Sequence, residues 1–178
     1  MKRFLFLSLL ASTMLFAAGE LSNRRAPGFS IVDAVNLRQH DLADYRGQYV
    51  VLDFMQTTCP HCQQFSAILE KVAAQFKGKV QVLSIVLPPD NLNTVKTYIQ
   101  GHNITVPILF DSGQVTASYL KLTPATPKVF FPHAFLIDPT GRIVNDWAFT
   151  EDGKNKGIFE EGDLTKELDR LLAAAPKK

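Results

Sequence analysis

The chain has 178 residues, 46% of them hydrophobic, with 19 Lys and Arg against 17 Asp and Glu and only two cysteines. Near-neutrality without basic runs excludes a partner held by phosphate neutralisation, so nucleic acid is not expected. Two cysteines are also too few for a disulfide-stapled mini-domain.

Met1-Lys2-Arg3 is a short basic lead, and Phe4 to Phe16 is apolar apart from Ser8, Ser12 and Thr13. That is the layout of a secretory signal, and the run is shorter than the roughly 20 apolar residues of a comfortable span. Residues 1–19 are therefore expected to leave as a signal peptide, with the small Ala17 and Gly19 favouring a cut before Glu20. Export to the bacterial periplasm or another extracytoplasmic space follows, with no stable membrane insertion after cleavage. Cleavage removes Lys2 and Arg3, which leaves 17 basic residues for 17 acidic ones. Residues 20–178 suit a single domain, with a core from about 26 to 175.

Ala26-Pro27 ends a polar leader, after which Phe29 to Asp33 and Val35 to His40 read as a short hairpin. Val50 to Phe54 is a buried strand by its β-branched content. Cys59 opens a helix: Pro60 stands at the first helical position, and Phe65, Ile68, Leu69, Val72, Ala73 and Phe76 follow the spacing of one apolar face, up to Gly78. Val80 to Leu87 is the next strand. A second helix starts at Asp90, turns Leu92, Val95 and Ile99 inward and ends at Gly101. Ile108 to Phe110 is a short strand, followed by a modest helix through Tyr119 and an irregular loop holding Pro124, Pro127 and Pro132. Ala134 to Asp138 and Arg142 to Trp147 flank the turn Pro139-Thr140-Gly141. Ile158 to Gly162 reads as a loop, and Asp163 caps a last helix with Leu164, Leu168, Leu171 and Leu172 on one stripe. The Lys177-Lys178 end is expected to fray, and His40 and His102 read as surface residues. The alternation of strands and helices points to one α/β domain.

The two cysteines sit three positions apart, as Cys59-Pro60-His61-Cys62. As a structural staple this ring is poor, contributing roughly 2 kcal/mol on the loop-entropy model, so chemistry is the better reason for it. A sulfur at a helix start meets unpaired N–H groups and the positive end of the helix dipole. A free thiol titrates near 8.5, and such a setting can bring it to anywhere between about 3.5 and 7, which makes Cys59 the expected nucleophile. Cys62, one turn on and deeper, is the resolving thiol. His61 can stabilise the Cys59 thiolate by charge or hydrogen bond, which would make the pair oxidising, or it can be a solvated turn residue.

Val51-Leu52-Asp53-Phe54 followed by Cys59-Pro60-His61-Cys62 resembles the thioredoxin superfamily. Ala26-Pro27-Gly28-Phe29, the Leu42 to Gly47 segment and Pro132-His133-Ala134-Phe135-Leu136-Ile137-Asp138 are similar to the TlpA and ResA branch of exported redoxins, a redoxin or AhpC/TSA-like domain, over about Ala26 to Trp147. The resemblance implies a thioredoxin-like fold: a central mixed β-sheet flanked by helices, with an N-terminal β-hairpin and an extra strand-helix insertion. It implies a thiol-disulfide oxidoreductase acting on cysteine-containing proteins, recharged by a thiol redox partner protein and without a bound cofactor. Asp53 then matches the buried acid that relays a proton for the resolving cysteine, with an ordinary strand-edge carboxylate as the alternative. Pro132 matches the family's cis-proline, leaving the Phe131 backbone free to pair with substrate. His133 lies next to that proline, where it can tune Cys59 or contact substrate, or simply face out of a strand end.

Departures from the family pattern bear on substrate choice. Thr58 replaces the usual tryptophan before the first cysteine, and Met55 replaces another aromatic residue. The Pro-His dipeptide is like that of DsbA oxidases, while the segment between Cys62 and Pro132 is too short for DsbA's helical domain. Two other activities fit parts of the pattern. A peroxiredoxin needs threonine three residues before its cysteine, where this chain has Gln56. A Cu(I) chaperone could use both thiolates with His61 or His133, although such relatives space their cysteines by three residues.

Overall fold

A computed structural model describes residues 19–174. The expected leader, apart from Gly19, and Lys177-Lys178 lie outside those residues. Eight strands are present among them: β1 (Arg24–Arg25), β2 (Ser30–Val32), β3 (Gln39–Asp41), β4 (Tyr49–Met55), β5 (Val80–Val86), β6 (Ile108–Phe110), β7 (His133–Ile137) and β8 (Arg142–Ala148). Five helices accompany them: α1 (Pro60–Gln75), α2 (Leu92–His102), α3 (Gln114–Leu120), α4 (Lys156–Glu160) and α5 (Asp163–Ala174).

Six strands form one sheet in the order β1-β8-β7-β4-β5-β6, and β2 and β3 pair as a separate hairpin. β4, β5 and β6 run parallel, whereas β7 and β8 return antiparallel, so the sheet is mixed. β4 lies at its centre, paired on both edges, and its continuous apolar run suits a strand covered on both faces. Alternate residues divide between two cores. Val51 joins Ala134, Leu136 and Trp147 under Phe65, Leu69 and Val72 of α1 and Leu164 and Leu168 of α5. Val50, Leu52 and Phe54 pack on the opposite face with Leu83, Ile85, Phe135 and Tyr119 of α3. Each fully buried side chain of the α1 stripe stabilises the fold by about 1.5–3 kcal/mol.

Several expectations need correction. Ile158 to Gly162 is mostly helical, because α4 forms one turn that seats Phe159, 0% exposed, against Phe65 with ring centroids 4.8 Å apart. Five residues show too little periodicity to mark such a helix. α2 starts after Asp90: Asn91 is its cap and makes a reciprocal capping box with Thr94. Leu92 is 56% exposed, and Tyr98 takes the inward place with Val95. The helix runs through Gly101 and stops at Asn103, a residue that tolerates its left-handed φ of 53°. Asp163 is the first residue of α5 rather than its cap, and its carboxylate accepts from Lys166 Nζ at 2.6 Å. His40 is buried, with Nδ1 2.5 Å from the Tyr45 hydroxyl, while His102 is exposed. A hydrophobic pattern reports burial of apolar residues only, so it is silent about a histidine closed in by a neighbouring tyrosine.

Candidate active site

β4 and α1 bring the chemistry together. The chain leaves β4 at Met55, turns through Gln56, Thr57 and Thr58, and enters α1 at Pro60, which needs no N–H there. Cys59 is the N-cap, in extended conformation (φ −80°, ψ 118°), and its Sγ accepts from the Cys62 backbone N–H at 3.2 Å. Sulfur here does the work usually done by a serine or aspartate oxygen, satisfying one of the orphan donors of the first turn. Cys59 is half-buried and Cys62 fully buried, and both are free thiols. Thr58 and Pro60, on either side of Cys59, are exposed.

Cys62 sits in a small apolar cluster with Met55, Val86, Val95, Tyr98 and Ile108. Burial pushes its thiol well above the usual range, the Asp53 charge raises it further, and so does the contact with Cys59. Asp53 is 0% exposed, in the middle of β4, and neither carboxylate oxygen has a hydrogen-bond partner among the described residues. The strand-edge alternative does not hold. By strand alternation Asp53 shares the face of Val51 and Met55, beneath α1. Burial pushes its pKa up to about 8; Ser84, its register partner on β5, offers partial relief without closing a hydrogen bond.

The Phe131-Pro132 peptide bond is cis. Across it the Cys59 thiol donates to the Phe131 carbonyl at 3.9 Å, a long contact that puts this backbone beside the sulfur. Pro132 is buried and Phe131 half-buried. His133 does not join the sulfurs. Its side chain shares the far face of β7 with Phe135, on whose ring it stacks, and its Nε2 is 3.2 Å from Oδ2 of Asp146 on β8. Asp146 also receives the Leu21 N–H at 2.9 Å and the Ser22 hydroxyl at 2.7 Å. Burial alone would raise its pKa, but the hydrogen bonds from His133 and Ser22, the His133 charge and the Leu21 N–H outweigh it and hold the carboxyl below the usual range. His61 points to the C-terminal part of the chain: it stacks on Phe149 at 4.0 Å, and its Nδ1 is 3.4 Å from Oε1 of Glu160.

Asp90 does not open α2 but anchors the turn before Cys59. It is buried, receives the Thr57 N–H at 2.9 Å and the Thr57 hydroxyl, and takes a third bond from Thr94 Oγ1 at 2.9 Å. Gln63 Nε2 holds the Thr57 carbonyl at 2.9 Å from the other side. The turn before Cys59 is thus pinned by α1 and by the segment leading into α2. No spacing rule links residues so far apart in sequence; a buried acid beside a helix cap is the one local hint. Behind the site, Tyr98 donates to Ser66 Oγ at 2.7 Å, and Ser66 donates to the Cys62 carbonyl at 3.0 Å. Among the described residues, no group of three or more His, Cys, Asp or Glu side chains is arranged to hold a metal ion.

A dithiol at a helix start, backed by a buried acid and faced by a cis-proline on a mixed sheet, defines a thioredoxin-like protein. The chain belongs to the AhpC/TSA family, whose model matches residues 23–145. It is similar to the thioredoxin-like protein YneN of Bacillus subtilis, at 24% identity over 70% of this chain and 70% of that one. It is also similar to the thiol-disulfide oxidoreductase ResA of Geobacillus thermodenitrificans, at 29% identity over 66% of this chain and 64% of the relative. Among solved structures, a thiol:disulfide interchange protein from Bacteroides sp. matches with a TM-score of 0.67 at 21% identity, covering 88% of this chain and 93% of its own. A thiol-disulfide oxidoreductase from Bacteroides fragilis matches with a TM-score of 0.62 at 22% identity, over 83% and 99%. These structural likenesses establish the fold.

Proposed function

We propose that the protein is an exported thiol-disulfide oxidoreductase that exchanges a Cys59/Cys62 dithiol and disulfide with cysteine-containing proteins. The observation that carries this reading is the Cys59 sulfur seated as the N-cap of α1, with Cys62 closed off one turn behind it. The activity of the ResA relatives supports it.

In the reducing direction the Cys59 thiolate attacks a substrate disulfide, forming a mixed disulfide and releasing one substrate thiolate. Cys62 then loses its proton and attacks Cys59. The mixed disulfide breaks, the second substrate thiolate leaves, and the protein retains a Cys59–Cys62 disulfide; two electrons have passed to the substrate. Asp53 is the acceptor for the Cys62 proton, because a carboxyl with a pKa near 8 can hold or release a proton at neutral pH. The Phe131 carbonyl, beside the sulfur, marks where a substrate strand lies, with Pro132 forming the wall of that site. Pro60 presets the helix start and His61 tunes the sulfur; His133 acts at one remove, by fastening β8 to β7 next to Pro132.

Export rests on the expected leader of residues 1–19 and on the extracytoplasmic redoxin resemblance; among the described residues no helix is long and apolar enough to cross a membrane. A separate thiol protein restores the reduced or oxidised state, so no bound cofactor takes part. Position 56 is Gln, which disfavours peroxide reduction. The test is exchange with a protein disulfide: Cys59→Ser is expected to bring the rate down to the uncatalysed background, and full activity in that variant would overturn the mechanism.

A further inference from the structure

His61 is held on two sides by parts of the chain far from the motif. Phe149, just after β8, lies against its ring with planes 25° apart. Glu160, the last residue of α4, faces its Nδ1 at 3.4 Å, a separation that pairs charge without closing a hydrogen bond. The second Glu160 oxygen is 3.6 Å from Lys156 Nζ. α4 itself is fixed to α1, since Phe159 packs edge-on against Phe65 and also against Phe149 at 5.9 Å. The charged side chains that reach His61 from α4 are Glu160 and, beside it, Lys156, and on its own helix His61 stands between the thiols of Cys59 and Cys62.

A histidine between two cysteines stabilises the thiolate through its positive charge and its N–H. Here a carboxylate faces the ring and offsets its charge, and the ring itself is stacked on Phe149. We propose that Glu160 is a positioning residue for the redox pair: it holds His61 against Phe149 and offsets its charge, so that Cys59/Cys62 is less oxidising than the Pro-His dipeptide alone would make it. The inference rests on the dithiol-disulfide reading above. It also joins two features that pull in opposite directions, an oxidase-like motif and a scaffold related to the ResA enzymes.

The measurable step is equilibration with glutathione. The Cys59–Cys62 bond breaks, two glutathione thiols are oxidised and form the glutathione disulfide, and their electrons reduce the protein sulfurs. Any charge that favours the Cys59 thiolate shifts this balance towards the dithiol. At pH 6, Glu160→Gln is expected to shift the equilibrium towards the dithiol about three- to tenfold. Tenfold corresponds to about 30 mV. In a His61→Ala background the same substitution should move it by at most about twofold, since only the distant charge of Glu160 remains. An unchanged equilibrium in Glu160→Gln, or an equal shift in both backgrounds, overturns the proposal. If the unmodified protein fails to equilibrate with glutathione at all, it is the exchange reading itself that falls.

Discussion

Asp53 on β4 and Asp146 on β8 flank the same strand, β7, and both are buried, 0% and 6% exposed. They stand on opposite faces of the sheet, Asp53 beneath α1 and Asp146 beside His133 and Phe135. Asp146 is surrounded by donors: the His133 ring, the Ser22 hydroxyl and the Leu21 N–H. Among the described residues Asp53 has none of ordinary geometry. One carboxyl is consequently held below the usual range, and the other is raised to about 8. Burial alone does not decide the charge of an acid; the supply of hydrogen bonds does. A satisfied acid ties the N-terminal segment and β7 to β8, whereas the unsatisfied one is the group that the proposed mechanism uses to take and return a proton beside Cys62.

The largest effect that would break this contrast is expected at Asp146. Asp146→Ala strands the His133, Ser22 and Leu21 donors and should cost about 3–5 kcal/mol in denaturant unfolding at pH 7. Because the folded-state pKa of Asp146 is depressed, its stabilising contribution is present above the unfolded value near 4 and fades as pH falls through the lowered folded value. Asp53 has the opposite sign. Its folded value of about 8 exceeds the unfolded value of 3.8, so between those pH values the native state holds a proton that the unfolded chain has released, and stability falls as pH rises. Asp53→Asn should therefore stabilise the fold by about 2–4 kcal/mol at pH 8 and by almost nothing at pH 4. The same variant should slow disulfide release by about a hundredfold at pH 7; a stabilised protein with undiminished exchange would leave Asp53 without a proton-transfer role. The finest test is Ser22→Ala, which removes one donor from Asp146. A loss of about 1 kcal/mol is expected, and no loss would show that the backbone N–H and His133 suffice.

Much of the architecture is readable before any coordinates. β4, α1 and β5 follow from the β-branched runs and from Phe65, Leu69 and Val72 at helical spacing, because burial of a continuous apolar face leaves a periodic trace. Pro139-Thr140-Gly141 marks the β7–β8 turn for a local reason too, with Gly141 at φ 84°. α4 left no such trace, since a single turn is too short to show a period. Asp90 and Glu160 escaped for a different reason: their partners, Thr57 and His61, are distant in sequence and carry no repeat that would link them. His133 follows Pro132 along the chain, but which face of β7 it occupies depends on the register with β4 and β8, and that register directs it to Asp146 instead of to the sulfurs.

What the sequence alone determined is the chemistry available: two cysteines one turn apart at a helix start after a buried strand, with an acid six positions earlier. Helix geometry and the N-cap preference are local, so four consecutive residues are enough to set Cys59 above Cys62. Only the tertiary structure decided the surroundings that tune that chemistry. The loss of hydrogen bonds at Asp53, the engagement of Asp146 with His133, and the diversion of His61 by Glu160 each depend on which groups from remote segments arrive within a few ångströms, and electrostatic energies at that range are fixed by distance and solvent exclusion rather than by order along the chain.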